Sequence, residues 1–118
     1  MTRKMFEVTR LRFVLPVMLA LAGPVAWAQS SADAARSLAE SKRCLVCHKM
    51  EEKSMGPSVR DIAAKYKGAA GAQAAVMARM RGGSKGIWGN VPMAPVNKDI
   101  SEEDLKTMVA WMLSPGPK

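Results

Sequence analysis

The two cysteines and the single histidine of this chain stand together, in the segment Cys44-Leu45-Val46-Cys47-His48. A disulfide between cysteines three positions apart would close a very small loop and would constrain the unfolded chain little. A domain of about 90 residues buries a modest core and commonly needs a disulfide, a metal or a cofactor for stability. We therefore expect this segment to hold a group around which the rest of the chain folds.

Three kinds of chemistry use two cysteines at this spacing. A thiol–disulfide redox pair would be expected beside an alternating strand–helix pattern, and the sequence beyond residue 28 contains no convincing strand. A structural zinc site needs four ligands, and no further His or Cys is available to complete it. The third is covalent haem attachment, in which both thiols form thioethers and the following histidine binds iron. We predict one covalent haem c on Cys44 and Cys47, with His48 as an axial iron ligand.

The second axial ligand cannot be another histidine, because His48 is the only one. It is a methionine, another residue, water, or absent. Iron bound by His and Met is typical of electron-transfer cytochromes, since the thioether raises the reduction potential. A fully coordinated iron has no vacant position for a substrate, which favours electron transfer over catalysis.

Most of the seven methionines beyond residue 28 are poor ligand candidates. Spacings of three and four along predicted helices are typical of a packed core face, and this applies to Met77, Met80, Met108 and Met112. Met50 follows His48 too closely to travel around a ring about 10 Å across at no more than about 3.6 Å per residue. Met55 could reach the opposite face only along an almost straight path, so we set it aside.

Met93 lies in a different setting, between Pro92 and Pro95. The two prolines prevent helix formation and favour extended geometry in the residues before them. A stiff loop of this kind loses little entropy when its thioether is fixed against iron. We predict Met93 as the sixth ligand; the alternative is a proline-rich surface loop that contains a methionine by chance.

The first 28 residues have the pattern of a cleavable secretory signal. Residues 1–12 are basic, residues 13–25 are mostly apolar, and small residues follow at Ala26 and Ala28. We predict a signal peptide over 1–28 and one domain over 29–118, located in the periplasm as a monomer without stable membrane insertion. The apolar stretch is interrupted by Pro and Gly, which makes a membrane span a poor candidate; an uncleaved anchor is the alternative.

Residues 29–118 contain 14 Lys and Arg against 9 Asp and Glu, a net charge of +5. Nucleic-acid binding is not expected, because a basic stripe with aromatic residues or a reading helix is missing. Basic residues near the attachment segment could form a ring that attracts redox protein partners with acidic docking patches; ordinary solvated side chains are the alternative. The ring would consist of Lys42, Arg43, Lys49, Lys53 and Lys85.

The predicted fold class is all-α. We expect helices over 31–42 with Ser31 as a cap, over 57–67 with Pro57 in the first turn, and over 72–81. A last helix begins at Ser101 and ends near residue 113. The loops 49–56 and 82–100 would wrap the haem.

Four segments together resemble small bacterial class I cytochromes c, and within them the cytochrome c-551 group. They are the 44–48 segment, Met55-Gly56-Pro57, the stretch 86–93, and the terminal helix 105–113. The resemblance implies a single domain with four to five short helices around one haem and with its first and last helices packed together. It also implies a one-electron carrier, not an enzyme, that acts between a membrane donor complex and terminal reductases or oxidases.

The same resemblance assigns roles to further residues. It makes Met93 the distal ligand and gives the Pro57 carbonyl to the free ring N–H of the axial histidine, a common partner of metal-bound His. Arg79 and Trp88 match positions that bond a haem propionate, and Asn97 matches a position near the ligand methionine. From the residues alone, Trp88 would be core packing and Arg79 a solvated helix face. A catalytic or sensory haem protein with an open sixth position is the competing hypothesis.

Overall fold

The computed structural model describes residues 25–117, and the regular structure of this part of the chain is helical. The helices there are α1 (Val25–Ser41), α2 (Cys44–Cys47), α3 (Val59–Tyr66), α4 (Ala72–Gly82) and α5 (Glu102–Met112). β-pairing over the same residues is limited to one isolated antiparallel bridge, between Ser84 and Met93. The all-α prediction is confirmed. No helix in this described part has the length and apolar character needed to cross a membrane.

Helix α1 begins before the predicted start, so the prediction of Ser31 as a cap is wrong. The helix already includes Val25, and the Ser31 hydroxyl donates to the carbonyl of Ala28 at 2.9 Å. A serine bonded to the preceding turn is compatible with a helix interior, and alanine at position 28 favours the helix. Of the predicted signal peptide, residues 1–24 lie outside the described residues, and its cleavage after Ala28 stays a prediction.

Two helix starts, the buried one of α3 and the exposed one of α5, are capped by serines. The Ser58 Oγ accepts a hydrogen bond from the backbone N–H of Asp61 at 3.0 Å, and the Ser101 Oγ accepts one from Asp104 at 3.0 Å. The cap at Ser101 was predicted and is confirmed. At α3 the helix begins two residues later than expected, because Ser58 has extended geometry and takes the cap position, so Pro57 lies outside the helix.

The core forms where α1, α3 and α4 pack against α5. Contact between the first and last helices was an expectation from the family resemblance and is confirmed. Met80, Met108 and Met112 are buried and Met77 packs partly buried against them, so the interpretation of these four as core is confirmed. The buried cluster consists of Ala35, Ala39, Val59, Met80, Ile100, Leu105, Met108, Val109, Trp111 and Met112.

The turn between α1 and α2 contains a residue in the left-handed region. Arg43 has φ 64° and ψ 18°, and among residues 25–117 it is the only non-glycine residue with positive φ. This conformation costs an L-residue other than glycine roughly 1–2 kcal/mol. The strained turn leads directly into Cys44.

Candidate functional site

A cavity of about 510 Å³ lies between α2, α3, α4 and the loop that follows α4. Its volume is within the roughly 300–1,000 Å³ of small-molecule and cofactor sites. Every site residue predicted from the sequence lines it. They are Cys44, Cys47, His48, Pro57, Arg79, Trp88, Met93 and Asn97.

One wall of the cavity is the short helix α2, which places Cys44 and Cys47 on a single turn. Both thiols are free and half-buried. Burial is the largest influence on Cys44 and raises the pKa of its thiol. A redox-active cysteine pair requires a lowered pKa, because the thiolate is the nucleophile. The raised pKa of Cys44 therefore does not favour thiol–disulfide chemistry at this residue.

The His48 ring is held from one side by the chain segment that follows it. Its Nδ1 lies 2.9 Å from the carbonyl oxygen of Pro57. Because a carbonyl only accepts hydrogen bonds, Nδ1 carries the proton and Nε2 is the ring atom with a free lone pair. A metal-binding histidine commonly donates its second ring N–H in this way. His48 is thus set up to use Nε2 as a ligand atom.

Gly56 was not predicted as a site residue, yet the ring position depends on it. A Cβ atom at Gly56 would lie 2.5 Å from His48 Cε1 and 2.8 Å from Nδ1. The backbone N–H of Gly56 donates to the carbonyl of Cys47 at 3.0 Å, which keeps this segment against α2. Only glycine leaves room for the imidazole here. Its position directly before Pro57 was the one sequence signal that could have revealed the contact.

Met93 approaches the cavity from a loop that is attached to the end of α4. Its N–H donates to the Ser84 carbonyl at 2.8 Å, and its carbonyl accepts from the Ser84 N–H at 3.0 Å. Three residues later, the Val96 N–H donates to the carbonyl of Met80 in α4 at 2.8 Å. The two flanking prolines limit the backbone further. The half-buried Met93 side chain is therefore carried by a restrained segment.

Arg79 and Trp88 are both held by residues of α3. Arg79 Nη1 donates to the hydroxyl of Tyr66 at 2.6 Å, and the Lys65 ammonium lies 5.0 Å from the centre of the Trp88 ring. Both residues are half-buried and line the cavity, so the interpretations as a solvated face and as core packing are wrong. Tyr66 also lines the cavity and was missed, although it is the chain's only tyrosine.

The donors on this wall indicate which group the cavity fits. Arg79, Tyr66 and Trp88 offer N–H and O–H groups suited to carboxylates. Elsewhere the lining is largely apolar, with side chains such as Ile62, Val76 and Met112. A flat apolar ring with acidic substituents, attached by thioethers beside His48, fits these residues.

Asn97 is exposed and mainly shapes the turn before α5. Its Oδ1 accepts from the Asp99 N–H at 3.0 Å, and its carbonyl accepts from the Ile100 N–H at 3.1 Å. The side chain is thus engaged with its own turn at the edge of the cavity. Proximity of Asn97 to a ligand methionine stays a prediction.

The predicted basic ring is partly present at the cavity. Lys42, Arg43, Lys53 and Lys85 line it, whereas Lys49 is not part of the lining. Lys42 Nζ lies 3.8 Å from an Asp104 carboxylate oxygen, which offsets some of its charge.

Apolar side chains are exposed on the same side of the molecule. Met55 is 67% exposed and Val91 is 66% exposed, and both line the cavity. The Met55 sulfur lies 3.9 Å from the Cys47 sulfur. The cavity thus opens beside an apolar area with cationic neighbours.

Comparison with known proteins places this chain among electron-transfer haem proteins. Residues 32–115 match the family model described as Cytochrome c. Cytochrome c-551 from Stutzerimonas stutzeri is 37% identical over 86% of this chain and 95% of the relative. Cytochrome c-552 from Nitrosomonas europaea is 40% identical over 75% of this chain and 81% of the relative. The crystal structure of Nitrosomonas europaea cytochrome c552 superposes with a TM-score of 0.63 at 39% identity, covering 67% and 96% of the two chains.

Proposed function

This chain belongs to the cytochrome c family, and on that premise we propose that it is a periplasmic one-electron carrier with His48 and Met93 as axial iron ligands. Members of the family carry covalently bound haem c with iron, and the relatives of this chain are electron carriers. The two axial iron ligands, the periplasmic location and the redox partners are our inferences. We propose that it carries electrons from a membrane donor complex to terminal reductases or oxidases.

The wall of the cavity formed by α2 supports the assignment of Cys44, Cys47 and His48. Two half-buried thiols on one helical turn would hold the ring edge, and His48 would bind iron through Nε2. The Pro57 carbonyl accepts the Nδ1–H bond of His48, which leaves Nε2 as the ring atom available to a metal. The bound haem supplies the Fe(III)/Fe(II) couple.

A restrained Met93 supports His/Met ligation. The Ser84 bridge and the Met80–Val96 bond hold the thioether in the same cavity as His48. A soft thioether favours the ferrous state and raises the potential. A stiff loop also limits movement of the ligand between oxidation states, which favours fast electron transfer.

Tyr66 in α3, Arg79 in α4 and Trp88 in the loop after α4 support a carboxylate-binding role for this wall of the cavity. Arg79 is pre-oriented by its 2.6 Å bond to Tyr66. We propose that these donors bind haem propionates. The negative charge of an ionised propionate near the iron would favour the ferric state and lower the reduction potential. The donors that bind the propionate would offset part of this effect.

We place the docking of redox protein partners at the opening of the cavity. Exposed Met55 and Val91 give apolar contact area, and Arg43, Lys53 and Lys85 line the same cavity and add positive charge. Such a surface favours fast, weak and salt-sensitive encounters with acidic partners.

The proposal rests on two residues that line one cavity. The Pro57 carbonyl holds the His48 proton on Nδ1, and backbone hydrogen bonds restrain the segment that contains Met93. The test is the visible and near-infrared spectrum of the ferric protein, with Met93→Ala beside Met55→Ala as the matched control. We expect the sulfur-to-iron charge-transfer band in the wild type and in Met55→Ala, and its loss in Met93→Ala. A wild-type protein that is five-coordinate and binds added ligands readily would instead favour a catalytic or sensory haem.

Export and attachment are tested separately by the denaturing mass of protein recovered from a periplasm competent for cytochrome maturation. We expect a chain that starts at Gln29 and carries the mass of one haem. A retained segment 1–28 would contradict signal cleavage, and a mass without haem would contradict attachment.

A further inference from the structure

Arg81, in the last turn of α4, reaches across to the segment that follows Met93. Its Nη2 donates to the carbonyl of Ile100 at 2.6 Å, and its Nη1 makes a longer contact of 3.5 Å with the Asn97 carbonyl. The same Nη2 lies 3.4 Å from a carboxylate oxygen of Glu102 in the first turn of α5. The Arg81 side chain is 32% exposed, so these interactions are partly shielded from water.

The loop that carries Met93 is closed by backbone bonds up to Val96 but not beyond it. The Ser84–Met93 bridge and the Val96–Met80 bond account for the first part. Within residues 25–117, Arg81 is the only side chain that bonds the segment 97–100 to α4. Both of its carbonyl partners belong to residues that line the cavity.

We infer that Arg81 is a positioning residue that holds the exit of the Met93 loop closed and thereby sets how readily Met93 leaves the iron. This inference rests on the proposed role of Met93 as the sixth ligand. Departure of the thioether requires the loop to move outward, and the free energy of that local opening determines the open population. Charge-assisted bonds to two carbonyls favour the closed loop, and Glu102 orients the guanidinium.

A purely architectural role for Arg81 would be to join α4 to α5, and the chain offers a matched control for it. Gln73, near the start of the same helix, donates to the carbonyl of Lys106 in α5 at 2.9 Å. This bond also connects α4 to an α5 carbonyl, but it touches no part of the loop. Gln73→Ala therefore removes a helix–helix connection and leaves the loop exit intact.

The test measures imidazole binding to the ferric, haem-loaded protein, because imidazole binds only when Met93 has left. We expect Arg81→Ala to bind imidazole about ten-fold more tightly than the wild type, equivalent to about 1.4 kcal/mol. Arg81→Lys keeps the charge but cannot span two carbonyls, so an increase of about three-fold is expected. Gln73→Ala should stay within about two-fold of the wild type, since distant sites act independently.

A second readout does not depend on the iron. Hydrogen exchange of the Ile100 amide, which donates to the Asn97 carbonyl, should be faster in Arg81→Ala by a factor similar to the gain in imidazole affinity. It should be unchanged in Gln73→Ala. If Arg81→Ala does not fold, Glu102→Gln provides the weaker perturbation, with a smaller change of the same sign in both measurements.

The inference is overturned if Arg81→Ala changes imidazole affinity by less than about two-fold, or if Gln73→Ala changes it equally. The spectrum of the wild-type protein is measured before any Arg81 variant is made. If that spectrum shows no sulfur ligation, the proposed function itself is overturned. A normal wild-type spectrum with unresponsive Arg81 variants would overturn this inference alone.

Discussion

Replacing Gly56 by alanine tests the packing that fixes the His48 ring. The new Cβ would lie 2.5 Å from Cε1, 2.8 Å from Nδ1 and 3.2 Å from Nε2. An ordinary contact is about 3.5 Å or more, so the ring would have to move by about 1 Å. Gly56 does not have positive φ, so alanine causes no backbone strain and the effect is steric.

The ring has little freedom to move by that amount. Its Nδ1 is bonded at 2.9 Å to Pro57, the residue directly after the substituted position. Overpacking typically costs about 1–3 kcal/mol, and loss of the hydrogen bond adds about 0.5–1.5 kcal/mol. We expect Gly56→Ala to lower the free energy of unfolding by about 2–4 kcal/mol.

The assay is denaturant unfolding of the haem-loaded protein, with Gly82→Ala as the control. Gly82 ends α4 with no atom within 4 Å of an added Cβ and without positive φ. Alanine there should be neutral or stabilising by up to about 1 kcal/mol. A loss below about 0.5 kcal/mol for Gly56→Ala, with an unchanged haem spectrum, would refute the idea that Gly56 confines the ring.

Two further substitutions test single features of the fold. Arg43→Gly should raise the free energy of unfolding by about 0.5–1 kcal/mol, since relief of left-handed strain outweighs the added freedom of the unfolded chain. Arg43→Ala is the control, because alanine keeps the strain. A lower melting temperature for Arg43→Gly would contradict the argument. Tyr66→Phe removes the hydroxyl that Arg79 Nη1 contacts at 2.6 Å and should destabilise the protein by about 1 kcal/mol. Thermal unfolding measures both, and an unchanged melting temperature in Tyr66→Phe would show that the bond to Arg79 contributes nothing net.

Features determined by neighbouring residues were predictable from the sequence. The cap at Ser101 follows from a serine followed by acidic residues, and the core role of Met80, Met108 and Met112 follows from helical periodicity. The cavity lining by Cys44, Cys47 and His48 follows from one short segment, because a single helical turn brings its side chains together. In these cases the partners are close in sequence.

Other features depend on distant segments meeting, and the sequence carries little signal for them. The contact of Gly56 with the His48 ring exists only because the intervening loop folds back on α2. The Tyr66–Arg79 bond depends on how α3 and α4 are placed, and helix propensity does not contain that information. The error at Ser31 has another origin: a serine suits a cap and also tolerates a helix interior when its hydroxyl bonds the preceding turn.

The bridge between Ser84 and Met93 separates two parts of the loop after α4. Because its ends are bonded to each other, the segment 85–92 is a closed side branch, and a change in its length need not be transmitted to Met93. Loop-closure entropy rises only slowly with length, so the part of this branch around the exposed Val91 can vary in length, whereas Trp88 in the same branch is needed at the cavity. The chain can thus vary the surface presented at the mouth of the cavity independently of the thioether position, so that recognition and ligation are separately adjustable.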